Sequence, residues 1–137
     1  MSTAEAATPI LPKGFIRPCL LLLLREDPAH GYDLLERLGS FGFDRSDPGG
    51  LYRALRSLEK ESLVRSVWES SSAGPDRRIY ELTRAGMGEL HRNALALTRT
   101  DDLLRIFLSR YSEFVSLPPR ETASVPSAPM TPSAARA

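Results

Sequence analysis

Residues 47–82 constrain the fold more than any other part of the chain. They pass from a short helix-forming segment with clustered cations straight into two strand-forming segments joined by a polar tip. Asp47 is placed to cap the helix and Pro48 to take its first position, where a missing N–H costs nothing. At 3.6 residues per turn Leu51, Ala54, Leu55 and Leu58 share one face. Arg53, Arg56, Ser57 and Lys60 take the opposite face, with Gly49 at its start. At about 100° per residue the three cations span an arc of roughly 60°. Glu59 and Glu61 fall to the sides. A helix that buries leucines and presents clustered cations suits the major groove of duplex DNA, which admits one α-helix. On charge alone a solvated surface helix is the better explanation; the segment that follows shifts the balance.

Residues 63–68 are rich in strand formers, and residues 69–76 are turn and loop formers. Arg78, Tyr80 and Leu82 then alternate with Arg77, Ile79 and Glu81, the period of a second strand. A hairpin flanked by adjacent arginines can lie along a phosphate backbone or reach into the minor groove. Arg77 and Arg78 point to opposite faces, so one is expected to aim at DNA while the other supports or bridges. Trp68 shares a face with Val64; packing beneath the hairpin is the expectation, with ligand stacking as the alternative. The candidate DNA-binding set is Gly49, Tyr52, Arg53, Arg56, Ser57, Lys60, Arg77 and Arg78.

His30-Gly31-Tyr32-Asp33-Leu34, then Asp47-Pro48-Gly49-Gly50-Leu51-Tyr52-Arg53-Ala54-Leu55, Leu58-Glu59, Arg78-Ile79-Tyr80-Glu81-Leu82-Thr83 and Gly86 together resemble the PadR-like transcriptional regulators. The resemblance covers roughly residues 15 to 90, and its specificity lies in the combined spacing. Phe41-Gly42-Phe43, residues 52–56, Trp68 and Gly74-Pro75 resemble the small polyhydroxybutyrate-responsive repressors within that family. The resemblance implies a dimeric winged-helix repressor whose last helix makes the dimer. Two positions depart from the pattern. Gly50 stands where a small hydroxyl residue is common, which puts a phosphate contact in doubt. Ser62 stands where glycine usually ends the recognition helix, so that terminus must close without its usual left-handed residue.

A length of 137 residues suits one domain with additional tails. The net charge is +1, and cations and acids nearly balance between residues 43 and 85. The DNA reading therefore rests on where the cations sit, not on overall charge. One cysteine, Cys19, excludes an internal disulfide and suits a reducing cytoplasm; lying in an apolar run, it reads as a buried structural thiol. No His/Cys cluster points to a metal, and no cofactor is expected. The leucine run 20–24 is too short to span a membrane, which takes about 20 apolar residues, and no small-residue cleavage site follows it. There is no phosphate loop or nucleophile elbow, and Asp101 and Asp102 fit helix capping better than acid–base work. The chain is not expected to be an enzyme.

The expected fold is mainly α with a small β-hairpin: a winged helix-turn-helix followed by a long C-terminal dimerisation helix. Residues 1–12 form a flexible segment, 13–83 the DNA-binding domain, 84–116 the dimerisation helix and 117–137 a proline-rich disordered tail. A first helix spans 18–27 and a second 30–41. Thr83 caps the last helix, in which Met87, Leu90, Ala94, Leu97, Leu104, Leu108, Tyr111 and Val115 follow a heptad seam interrupted at Asp101. Such a stripe calls for a partner helix, most economically that of a second copy, although part of it can pack on the chain's own first helix. Thr100-Asp101-Asp102 also has the form of an N-cap, which marks a break in the helix there. Two functions fit: a sequence-specific dimeric repressor on a pseudo-palindromic operator, released by a ligand or partner (a small molecule or a polymer), or a winged-helix adaptor that binds proteins and not DNA.

Overall fold

The computed structural model describes residues 7–70 and 74–120. The expectations for residues 1–6, for the hairpin tip at 71–73 and for the tail at 121–137 lie outside the described residues. The elements are α1 (Ile16–Glu26), β1 (Ala29–His30), α2 (Gly31–Arg37), a 3-10 turn (Leu38–Phe41), α3 (Pro48–Lys60), β2 (Val64–Glu69), β3 (Arg77–Leu82) and α4 (Arg84–Tyr111). The expected class is therefore observed: helices with a small antiparallel sheet.

Helix α1 begins two residues earlier than the sequence reading placed it. Pro18 thus sits in the first turn, where its missing N–H is one the helix does not use. Its last turn is closed by Arg37, which donates to the carbonyl of Leu23 at 3.2 Å and to Glu26 at 3.1 Å. The expected second helix over 30–41 is shorter. His30 belongs to β1, and the segment tightens into a 3-10 turn at Leu38, ending on Gly42 with φ +90°. A two-residue strand is too short to show alternation, so β1 escaped sequence reading. It pairs with β3 (Ala29 with Tyr80, His30 with Ile79), giving a three-stranded sheet in the order β1-β3-β2.

The helix-turn-helix packs on one core. Leu20 and Leu21 of α1, Leu34 and Leu38, Leu51, Leu55 and Leu58 of α3, and Val64 are fully buried. Phe15 receives Phe41 edge-on and stacks against Phe43, with centroids 6.4 and 6.0 Å apart. Cys19 is buried and free.

The end of α3 resolves the question raised by Ser62. Its φ is +64°, the left-handed conformation glycine usually supplies. Ser62 N–H bonds the carbonyl of Glu59 and Leu63 N–H that of Leu58, both at 2.9 Å. These are the two bonds of a Schellman terminus. It closes normally, with serine carrying the strain of a Cβ in that region.

Thr83 caps α4 as expected, its Oγ1 accepting the N–H of Gly86 at 3.0 Å and donating to the carbonyls of Ser62 and Leu63. A Cβ on Gly86 would collide with the Leu63 carbonyl and lie 2.5 Å from Leu82 Cδ1, so α4 approaches the end of α3 as closely as glycine permits. The expected break at residues 100–102 does not occur. Helix α4 is continuous, and Asp101 is held in it by an ion pair to Arg105 one turn on, at 2.9 Å. The helix ends at Tyr111, short of 116, in a turn that includes Val115.

The chain divides into two compact units, Met1–Thr100 and Asp101–Ala137. In the second, Leu103, Leu104, Ile106, Phe107, Leu108, Tyr111 and Phe114 are all exposed, Phe107 by 65%. No helix among the described residues is long and apolar enough to cross a membrane.

Candidate nucleic-acid interface

Helix α3 starts as its sequence dictates. Asp47 Oδ1 accepts the N–H of Gly50 at 3.1 Å, and Pro48 occupies the first turn. With Leu51, Leu55 and Leu58 buried, the helix is fixed in rotation, and Arg53, Arg56 and Lys60 are left exposed on its outer face. Gly49 is exposed at the start of that face, beside the Arg53 guanidinium.

Ion pairing sorts the cations of this region. Arg45 pairs with Glu36, Arg65 with Glu81 at 2.9 Å and Arg78 with Glu59 at 3.1 Å. Arg53, Arg56, Lys60 and Arg77 have no ion-pair partner among the described residues. The near-zero net charge thus hides an unneutralised set on α3 and β3. Such a set gives a local positive field that total charge does not report.

Three candidate residues have engagements that sequence did not reveal. The Tyr52 ring lies over Gly31, where an added Cβ would stand 2.5 Å from its hydroxyl. The tyrosine of α3 and the glycine opening α2 are therefore one contact, and Tyr52 remains partly exposed at its edge. Ser57 is turned toward α1: Arg17 donates to its Oγ at 3.0 Å and to Glu61 at 3.0 Å, and Ser57 Oγ donates to Glu61 at 3.2 Å. The hydrogen bond from Arg17 holds the Glu61 carboxyl below its ordinary range, with a lesser contribution from Ser57.

Arg78 is the third. Its Nη2 donates to Glu59 and also to Ser66 Oγ, which in turn donates to Glu59 at 2.7 Å. Arg77, one residue earlier, is exposed. The two arginines thus have different surroundings, Arg78 bonded to Glu59 and Ser66 and Arg77 exposed. Trp68 corrects another expectation: its ring is 67% exposed instead of packed beneath the wing, with the Arg78 guanidinium 5.7 Å from its centroid.

Two positioning groups were missed. Glu59 was placed to the side of the helix and in the family pattern, with no partner assigned to it. His30 Nε2 lies 2.9 Å from Glu69 Oε1 and Nδ1 3.5 Å from Asp33. Opposite charges at the end of α3 and at the start of β3 were the available signal for Glu59. His30 gave none, since its strand was not legible.

Of the dimerisation candidates, Met87, Leu104, Leu108, Tyr111 and Val115 are exposed. Leu90 packs against the core, so the proximal stripe is partly used within the chain. Leu90, Ala94 and Leu97, with Phe15, Pro18 and Leu22, line an apolar groove of about 460 Å³. No group of His, Cys, Asp and Glu among the described residues could hold a metal ion.

A helix-turn-helix whose second helix runs into a hairpin wing, with free cations on both, defines the winged-helix class. The chain belongs to the transcriptional regulator PadR-like family, whose model matches residues 20–92, more than half of the chain. These proteins are regulators of transcription and not enzymes. The structure is similar to that of a PadR-like transcriptional regulator from Bacillus cereus, at 27% identity and TM-score 0.62, covering 70% of this chain and 93% of that one. It is also similar to a PadR family transcriptional regulator from Eggerthella lenta, at 28% identity and TM-score 0.60, covering 70% and 83%. A PadR family regulator from Clostridium difficile, 24% identical over 69% of this chain and 99% of that one, shares the fold with TM-score 0.62. No curated protein sequence matches the chain.

Proposed function

We propose that the protein is a homodimeric transcriptional repressor that reads a pseudo-palindromic DNA operator. Residues 13–83 form the DNA-binding part and 84–116, whose helix ends at Tyr111, the dimerisation segment. Arg53, Arg56 and Lys60 enter the major groove from α3, and Arg77 takes a phosphate beside the wing. The observation that carries this reading is that Arg53, Arg56 and Lys60 on the outer face of α3 and Arg77 on β3 are exposed and have no ion-pair partner among the described residues. The same pattern favours DNA over a protein-binding adaptor, because an unneutralised cation row matches a polyanion.

The exposed stripe on α4 supports the dimer. Two-fold symmetry would set two α3 helices about 34–36 Å apart, one turn of DNA. Release by an effector completes the proposal. The apolar groove beside Leu90 and Leu97 suits an apolar ligand, and the resemblance to polyhydroxybutyrate-responsive repressors extends that class to a hydrophobic polymer. The direct test is binding to a duplex from the promoter upstream of the chain's own coding sequence, across a salt series. Specific, salt-dependent binding is expected; equal affinity for an unrelated duplex at every salt concentration would refute sequence-specific reading.

A further inference from the structure

Arg78 is one of the two adjacent wing arginines, yet one edge of its guanidinium is already engaged within the fold. Bidentate recognition of a phosphate uses two parallel N–H groups of the guanidinium. Nη2 is committed to Glu59 and to Ser66. Nε is buried, with no hydrogen-bond partner among the described residues. The Nε/Nη2 edge is therefore closed to an incoming anion. The cation is held between two rings as well, 5.7 Å from the centroid of Trp68 and 5.5 Å from that of Tyr80.

These contacts bridge three elements. Glu59 lies near the end of α3, Ser66 and Trp68 on β2, and Arg78 and Tyr80 on β3. Register places Ser66 opposite Tyr80 and Trp68 opposite Arg78. Arg77 has the contrary environment. Its cross-strand partner is Glu69, but that carboxylate reaches His30 Nε2 at 2.9 Å instead. Glu69 forms no ion pair with Arg77.

We propose that Arg78 is a positioning residue: with Glu59 and Ser66 it clamps the wing to the reading helix and fixes the angle between the two surfaces that meet DNA. This rests on the DNA-binding reading above. Arg77 is the phosphate ligand of the wing, and Trp68 is the exposed flank of the clamp.

Trp68 is the sole tryptophan of the chain, so its fluorescence reports on the clamp without DNA. Glu59→Gln and Arg78→Lys keep shape and solubility but weaken the charge-assisted bonds. Both should shift the emission of Trp68 and speed amide exchange in residues 64–69 and 77–82. Unchanged emission and exchange in both would overturn the clamp. With the promoter duplex, both should lower affinity by up to about fivefold, the scale of a partly exposed ion pair, at an unchanged salt slope. Arg77→Ala should instead reduce the slope by about 0.9. Wild-type affinity in Glu59→Gln and Arg78→Lys, with a slope loss in Arg78→Ala, would make Arg78 a phosphate ligand and overturn the proposal. If the unaltered protein and an Arg53→Ala/Arg56→Ala variant bind the duplex equally, the reading helix has been misassigned; the emission measurement still decides the clamp.

Discussion

Leu63 donates its N–H to the carbonyl of Leu58 at 2.9 Å, closing α3 across a serine with φ +64°. Left-handed backbone costs a residue with a Cβ about 1–2 kcal/mol, and glycine escapes most of that. Ser62→Gly is therefore expected to stabilise the protein by up to about 1 kcal/mol, after allowance for glycine's greater freedom when unfolded. Thr83 bonds the carbonyl of residue 62, which glycine retains. Urea denaturation measures the difference, and a destabilised variant would show that the serine hydroxyl contributes.

Gly86 and Gly88 separate packing from helix propensity. A Cβ at 86 would strike the Leu63 backbone and Leu82, whereas at 88 it meets only the end of Arg92 at 3.6 Å. Gly86→Ala should destabilise by about 1–3 kcal/mol through overpacking. Gly88→Ala should stabilise by roughly 0.5–1 kcal/mol through propensity. Thermal melts of the pair are the check, and equal shifts in the same direction would contradict the close approach of α4.

Replacing Arg53, Arg56 or Lys60 by alanine should weaken binding to the promoter duplex and leave the fold intact. A lost base-edge contact costs about 1–3 kcal/mol and relaxes one position; a lost phosphate contact weakens all sequences alike. Binding assays against single-position operator variants distinguish the two. Retained operator affinity in the triple variant would remove α3 from the interface.

Assembly is testable without DNA. Sedimentation of the intact protein should give a dimer, and truncation after Thr83 a monomer with weak DNA binding. Replacing Leu104 and Leu108 by lysine should dissociate the dimer with α4 still helical by circular dichroism. An intact dimer in that variant would place the interface elsewhere.

Burial pushes the Cys19 thiol up from 9.0 to about 12. A raised thiol pKa means the folded state keeps its proton while the unfolded chain loses it. Stability from this source is complete below about pH 9 and falls as pH rises toward about 12. Cys19→Ala should show a smaller alkaline loss than the unaltered protein in denaturation series from pH 8 to pH 11, assuming comparable refolding. Iodoacetamide should label the native thiol far more slowly than the unfolded one.

What sequence revealed and what it hid have physical causes. The leucine period of α3, its Asp47 cap, the cap at Thr83 and the alternation of β3 are local patterns, and each was legible. The two-residue β1 had no period to show. The rings of Tyr52 and Trp68 could be placed on a face, but their surroundings come from segments far along the chain. Arg78 is the clearest case: its partner Glu59 is 19 residues away, so chain spacing could say that one of the two arginines turns inward but not which. The continuity of α4 through Asp101 went unread because an acid able to cap a new helix pairs as readily within an existing one.

The contact at Gly86 has a mechanical consequence. With no side chain at residue 86, the first turn of α4 lies against the Leu63 backbone that follows α3, with Leu82 Cδ1 beside it. Any side chain at this position would have to hold the start of α4 away from Leu63, so the glycine sets how near the two backbones lie.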